Sequence, residues 1–308
     1  MRICIFGLGS IGKRHAQVLQ GLGGHEIFAL RTAKGQEPVD LKVHELRNWK
    51  EVEAVKPEIA LITNPTYLHI DTALRCAKLN CHLFIEKPID SSVDKLALLM
   101  KEVKARKLTT YVAYNLRFHP AIEFLKKYLV AKKISHATIY NSSYFGRWRP
   151  NQHHLKSYAS YRKKGGGVIL ELSHEFDYME WLFGEMKAIS GWFGKTSKVT
   201  VDSEDMMDAL IKTPRALVNL HCDFLSQKAQ RFLKIDCVDE TIVADLIASR
   251  VEIEKNGKQK IKQFKTERNI AYIKQMKYFL NNIHNPKMMN NLFEASRLFT
   301  KIIEFREK

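Results

Sequence analysis

The stretch "RICIFGLGSIG" at residues 2–12 constrains this chain more than any other. An apolar run of strand length ends in a glycine, and Gly7, Gly9 and Gly12 follow in G-x-G-x-x-G spacing as a helical pattern opens. Gly7 permits the tight turn, Gly9 lets backbone approach a pyrophosphate, and Gly12 lets the helix pack closely on the strand. Ser10 and Ile11 sit at the start of that helix, whose free N–H groups and positive dipole suit an anion. A G-x-G-x-x-G alone is weak, but one that follows a strand and opens a helix reads as a dinucleotide site rather than an ordinary glycine-rich turn.

The residues that follow repeat the alternation. "HEIFAL" (25–30), "EIALITNP" (58–65) and "CHLFIEKP" (81–88) read as strands, with a helix of the type "HIDTALRCAKL" between the last two. After Pro88, Ser91 stands three residues before Asp94 in the manner of a capping box, and an amphipathic helix continues from it. "TTYVAYNLRFHP" gives one more strand, up to about Asn115. Strands alternating with helices imply βαβ units and a parallel sheet. Beyond Pro120 the period changes to two. In "VNLHCDFL" the apolar Val218, Leu220, Cys222 and Phe224 alternate with Asn219, His221 and Asp223, and "LKIDC" (233–237) does the same. Such strands belong to an antiparallel sheet with one covered face. "VEIEKNGKQKIKQF" reads as a hairpin turning at Asn256-Gly257, and two helices broken at Asn285-Pro286 close the sequence. The expected architecture is α/β. It has an N-terminal Rossmann dinucleotide-binding domain at 1–119 and a C-terminal α+β domain at 120–308 with a large, mostly antiparallel sheet. The final helices are free to pack back on the first domain.

Composition narrows the partners. Five scattered cysteines with no CxxC pair argue for reduced, cytoplasmic thiols and against a disulfide framework or a zinc site, and no metal is expected. No run of ~18 apolar residues occurs, and the first residues do not read as a signal peptide, so no membrane partner is expected. The net charge of +17 fits an anionic ligand, but the lysines are dispersed rather than gathered into a tract, which speaks against nucleic acid. The end of the second strand bears on the cofactor. An acid about 20 residues beyond the glycines would bind a ribose 2′-hydroxyl. The chain instead has Arg31, Thr32 and Lys34 in "ALRTAKG", groups suited to a 2′-phosphate, so NADP(H) is favoured over NAD(H). The alternative is that Arg31 is a solvated loop residue stacking on adenine.

In order along the chain, "GLGSIGKRH", "NPTYLH", "IEKP", "NLRFHP" and "GGGVILELSHEFDYMEWLFG" resemble the Gfo/Idh/MocA oxidoreductase family, over essentially the whole length. The resemblance implies that Lys87 touches both a substrate hydroxyl and the nicotinamide edge, with Pro88 setting its turn and Glu86 orienting it. It implies cofactor contacts from Asn64, Pro65, His69 and Asn115, and a place beside the substrate for Arg117. His69 and His119 also read as satisfied structural histidines, and for His119 that reading is preferred. His174 aligns with the family's catalytic histidine and Asp177 with the acid three residues later. An imidazole suits the proton exchange that accompanies hydride transfer, and Asp177, on the same helical face, would hold its tautomer or serve the helix terminus. The family usually places an acid four residues before this histidine. Here "ELSH" puts Glu171 three before it, so Glu171 either fills that place or faces elsewhere. Gly165–Gly167 would let backbone pass close to nicotinamide and substrate before turning into the histidine's helix. In "MEWLFG", Met179, Trp181, Leu182 and Phe183 read as core.

"FGRWRPNQHHLKSYASYRKK" (145–164) is dense in cations and rings. Arg147, Arg149, His153, His154, Tyr158, Tyr161 and Arg162 would suit an anionic or nucleotide-linked sugar of surface-polysaccharide biosynthesis, the alternative being a solvated basic loop around Trp148. The expected function is NAD(P)-dependent oxidoreduction of a sugar-like hydroxyl or keto group. A dinucleotide- and sugar-binding sensor of the same fold is the alternative. A homodimer or homotetramer is implied by the resemblance alone.

Overall fold

A computed structural model describes residues 1–31, 41–148, 158–198, 201–285 and 287–308. The chain divides into two compact units, one of residues 1–114 with 272–300, the other of residues 115–271 with 301–308.

The first unit runs β1 (Arg2–Phe6), α1 (Ser10–Leu22), β2 (Glu26–Leu30), β3 (His44–Leu46), α2 (Trp49–Val55), β4 (Ile59–Ile62), α3 (His69–Lys78), β5 (His82–Ile85), α4 (Leu96–Ala105) and β6 (Thr110–Val112). Residues 3–6 and all of β4 are buried without a break, as strands covered on both faces must be. The strand order is β3-β2-β1-β4-β5-β6 with every pairing parallel. The order reverses between β1 and β4, and the carboxyl ends of strands at such a reversal form a crevice. Residues 272–300 add cover to this sheet. Phe279 meets Phe84 edge-on at 5.4 Å, and Val112 and Leu292 are tied in by Val112 N–H to Asn290 O (2.8 Å) and Leu292 N–H to Thr110 Oγ1 (2.9 Å).

Two expectations need correction here. Ser91 and Asp94 do not cap a helix: α4 begins at Leu96 after Lys95 in the left-handed region, with no side-chain cap. Asp90 captures Ser91 instead, accepting from its N–H at 2.6 Å and its hydroxyl at 3.1 Å, while Asp90 itself accepts from Ile70 N–H at 2.9 Å. A reciprocal cap forms at α2, where Asn48 accepts from Glu51 N–H (3.1 Å) and Glu51 accepts from Arg47 N–H (2.7 Å). The strand expected up to about Asn115 ends at Val112 and gives way to a 3-10 turn over Asn115–Phe118.

The second unit holds α5 (Pro120–Tyr128), β7 (Ile134–Ser142), α6 (Val168–Glu171), α7 (His174–Phe183), β8 (Ala188–Gly194), β9 (Met206–Lys212), β10 (Leu217–Asp223), β11 (Gln230–Cys237), β12 (Thr241–Asp245), β13 (Arg250–Lys255) and β14 (Lys258–Gln263). Its sheet has the order β14-β13-β12-β11-β7-β10-β9-β8, antiparallel throughout except for the β7–β10 pair. The period-two reading of β10 holds, with Val218, Leu220 and Cys222 buried on one face. The hairpin turns with Asn256 at φ +51° and Gly257 at φ +71°, the combination that follows the strands' own twist. The edge strand β14 is exposed along its length and carries lysines at alternate positions, which discourages pairing with another chain. The helices α8 (Ile270–Asn281) and α9 (Leu292–Arg306) follow.

Candidate functional site

At the reversal point in the first unit, the glycine turn is fitted to the loop after β4. Gly7 has φ +101°, and a Cβ there would stand 2.7 Å from Asn64 Cα. Gly12 lies so close that a Cβ would come within 2.0 Å of Gly7 O. Thr63 fastens the two loops by donating its hydroxyl to Gly7 O at 2.6 Å. Gly9 differs: its φ of −69° suits any residue, and a Cβ there would meet nothing within 4 Å. Exposed Gly9 and Ser10 and half-buried Ile11 stand ahead of the first intrahelical bond, from Lys13 N–H to Gly9 O at 2.9 Å. Those leading N–H groups, with no acid in the first turn, suit a pyrophosphate. Asn64 donates to Thr72 Oγ1 at 2.8 Å, while its Oδ1 is buried with no hydrogen bond among the described residues. A buried acceptor of this kind fits a hydroxyl brought by a ligand. Half-buried Pro65 opens the short 3-10 turn that follows.

His69 bridges two loops of the candidate site. Its Nδ1 lies 2.9 Å from Pro88 O and its Nε2 2.8 Å from Asn64 O, so the ring ties the Asn64 loop to the Lys87 loop. Glu86 is buried: Oε1 is 2.7 Å from Nε2 of His15, and Oε2 accepts from Lys87 N–H at 3.1 Å. The half-buried Lys87 precedes a cis peptide to Pro88. His15, a fully buried residue of α1, went unremarked in the sequence although it ends the quoted "GLGSIGKRH". At the end of β2, Arg31 is paired with the carboxylate of Glu45 on β3. An acid thus stands beside Arg31 from the neighbouring strand, where "ALRTAKG" itself has none. Thr32 and Lys34 lie outside the described residues.

In the second unit, the buried Arg117 grips Asp177 with Nε at 3.0 Å from Oδ2 and Nη2 at 2.8 Å from Oδ1. The same guanidinium lies 4.5 Å above the Trp181 ring, and Lys126 Nζ lies 4.2 Å from it, so Trp181 is a half-buried cation platform rather than plain core. Asn115 is buried in the turn that carries Arg117. His119 caps α5 by accepting from Ala121 N–H at 3.3 Å, the structural role preferred for it. Glu171 is the last residue of α6 and His174 the first of α7, with Leu172 and Ser173 breaking the helix between them. The short spacing is absorbed at that break, and both side chains are half-buried. Glu175, the next residue, is fully buried and binds Asn141 of β7 (2.9 Å) and Arg231 of β11 (2.7 Å), which docks α7 on the sheet.

In the triple glycine, Gly165 and Gly167 use the φ freedom expected of them, at +83° and +104°, and the chain itself crowds Gly166 and Gly167. A Cβ on Gly166 would come within 2.2 Å of Ala159 O, and one on Gly167, at φ +104°, within 2.4 Å of Glu204 Oε1. The space those side chains would fill is taken by the protein itself. Buried Glu204 accepts from Arg306 Nε at 2.8 Å and from Arg162 Nη1 at 2.8 Å, and Arg306 also donates to Gly166 O. Burial lowers the pKa of Arg306 from its ordinary value, against the pull of Glu204. Among the cations proposed for substrate, Arg162 is therefore engaged by Glu204, Arg117 by Asp177, and Arg147 by Gln227 O at 2.9 Å. Half-buried Tyr158 and Tyr161 border the glycine segment, with Lys164 Nζ 4.5 Å from the Tyr161 ring. Arg149, His153 and His154 lie outside the described residues. Among the described residues no group of three His, Cys, Asp or Glu side chains could hold a metal, and no helix is long and apolar enough to cross a membrane.

Comparison with known proteins follows the same division. Residues 1–114 match the oxidoreductase family with an NAD-binding Rossmann fold, and residues 123–243 match the GFO/IDH/MocA C-terminal domain. Two Bacillus subtilis relatives are a scyllo-inositol 2-dehydrogenase (NAD(+)), 24% identical over 62% of this chain and 56% of its own, and a scyllo-inositol 2-dehydrogenase (NADP(+)), 26% identical over 62% and 54%. The chain spans about half the length of these curated relatives. The UDP-N-acetylglucosamine 3-dehydrogenase of Acidithiobacillus ferrooxidans superposes with a TM-score of 0.81 at 19% identity, over 100% of this chain and 97% of that one, which shows a shared fold. The chain belongs to the Gfo/Idh/MocA oxidoreductase family.

Proposed function

We propose that this chain is an NAD(P)-dependent oxidoreductase that interconverts a hydroxyl and a keto group on a sugar-like substrate. Gly9 carries the reading: nothing among the described residues requires a glycine there, whereas a pyrophosphate at the head of α1 would. The orphan Asn64 Oδ1 supports it from the other side of the turn. The bound dinucleotide would supply the hydride acceptor or donor. Lys87, its backbone held by Glu86, would polarise the substrate oxygen, and His174 would take up or return the proton. Asp177, fixed by Arg117, would keep the first turn of α7 in place for that exchange, and Glu171 would assist it from the end of α6. The relatives that act on inositol and on a UDP-linked sugar favour a polyol or a nucleotide-linked sugar as substrate, the latter fitting surface-polysaccharide biosynthesis. Among the described residues, the expectation of NADP(H) rests on Arg31 alone, and the pairing of Arg31 with Glu45 weighs against it. Cytoplasmic location and a homodimer or homotetramer complete the proposal.

Titration of the protein with NADH and NADPH, followed by turnover assays on inositols and UDP-sugars, tests it. At least one dinucleotide should bind saturably, and Lys87→Ala and His174→Ala should slow turnover by roughly 100-fold or more. Absence of binding by either dinucleotide overturns the proposal. Because the short spacing sets Glu171 on a helical segment apart from His174, binding without turnover on any substrate would favour a sensor of the same fold.

A further inference from the structure

We infer that Glu45, on the edge strand β3, selects between the two dinucleotides by holding Arg31. The inference rests on the dinucleotide reading above. The strands β2 and β3 run parallel with Ala29 opposite Glu45, and the ladder continues through Arg31 N–H to Leu46 O at 3.0 Å. Side chains alternate along a strand, so Arg31, two residues beyond Ala29, shares a face with Glu45. Their charged ends are paired there, the arginine side chain 15% exposed and the glutamate 47%. Both residues lie at the carboxyl ends of their strands. In a doubly wound sheet the residue ending β2 meets the 2′-position of the adenosine ribose.

The chemistry of the pair follows from what each dinucleotide carries at that position. A 2′-phosphate would have to displace the carboxylate from the guanidinium and then lie beside it as a like charge. A 2′-hydroxyl donates a hydrogen bond, and Glu45 has a second oxygen to accept it without giving up Arg31. With both residues present, the pocket takes NAD(H) readily and NADP(H) against resistance. With Glu45 removed, one carboxylate fewer competes with a phosphate for the guanidinium. Where "ALRTAKG" places no acid at the end of β2, Glu45 would provide an acid's selectivity from the next strand.

The test is a fluorescence titration of NADH and NADPH against the full-length protein, Glu45→Gln, Arg31→Gln and the double variant, with circular dichroism to confirm folding. Glu45→Gln should shift the ratio of the two dissociation constants at least tenfold toward NADPH, or about 1.4 kcal/mol. Arg31→Gln should weaken NADPH more than NADH, and the gain from Glu45→Gln should shrink in its background, since the glutamate acts through the arginine. A ratio unchanged within twofold in Glu45→Gln overturns the inference while leaving dinucleotide binding intact. If the unmodified protein binds neither dinucleotide, the functional reading itself fails, a different and recognisable outcome. Glu45 is half exposed, so the variant is expected to fold; should it not, Glu45→Asp, which withdraws the carboxylate by one methylene, must still move the ratio toward NADPH.

Discussion

The two glycine-rich segments of this molecule look alike as strings and differ in what crowds them. Around residues 7–12, Gly7 and Gly12 are pressed against Asn64 and against each other, while Gly9 faces open space. Around residues 165–167, the space in front of Gly166 and Gly167 is filled by Ala159 backbone and by the Glu204 carboxylate. The first segment keeps one place for a partner from outside the chain. The second is closed by partners from within it, Ala159 backbone and the Glu204 carboxylate. Glycine clusters therefore mark close approach without saying what approaches.

This contrast can be broken most directly at Gly167. An alanine there combines a strained positive φ with a Cβ 2.4 Å from a carboxylate oxygen, and a loss of about 4 kcal/mol in chemical denaturation is expected. A loss below about 1 kcal/mol would mean that Glu204 yields easily and that the second segment is not firmly closed. Next in size is Arg306→Met, which leaves Glu204 buried with Arg162 as its remaining arginine and should cost about 3 kcal/mol. Adding Glu204→Leu to that variant should return part of the loss, because the stranded charge is then gone. The smallest effect on stability belongs to Gly9→Ala. Its melting should stay within about 0.5 kcal/mol of the unmodified protein, since the new methyl meets nothing. Its affinity for NADH or NADPH should nevertheless fall at least tenfold, about 1.4 kcal/mol. A Gly9→Ala protein that binds both dinucleotides normally would erase the distinction between the two segments.

Much of this was legible from local pattern. The buried run of β1, the glycine spacing, the alternation of β10 and the Asn256-Gly257 turn are each set by a few consecutive residues, and each was found where expected. Local pattern misled where a nearer competitor existed. Ser91 has the spacing of a helix cap, but the adjacent Asp90 reaches its N–H and hydroxyl first. The same spacing at Asn48 and Glu51 meets no such rival and does cap α2. What stayed hidden depends on pairs far apart in sequence. Glu204 and Arg306 are about a hundred residues apart, and no local periodicity announces that a terminal helix will reach a glycine loop. Glu45 was overlooked for a milder form of the same reason, since only the β2–β3 register brings it to Arg31. At the candidate site the residue types were readable, but their engagements were not. Arg117 and Arg162 read as substrate ligands, and nothing local announces that each holds a buried carboxylate.

The division of the chain has a consequence for its synthesis. The first unit draws on residues 272–300 and the second on residues 301–308, so neither is a continuous stretch of sequence. At ~5–20 residues per second, a ribosome delivers residues 272–308 some seconds after the residues they pack against. Until then Phe84 waits for Phe279, and Glu204 waits for Arg306. Until residues 272–306 emerge, a nascent chain of this design carries exposed aromatic surface and a Glu204 held by one of its two arginines. It also resists cut-and-paste engineering: a fusion that joins one protein's residues 1–114 to another's remainder would bring the wrong 272–300 to the first sheet.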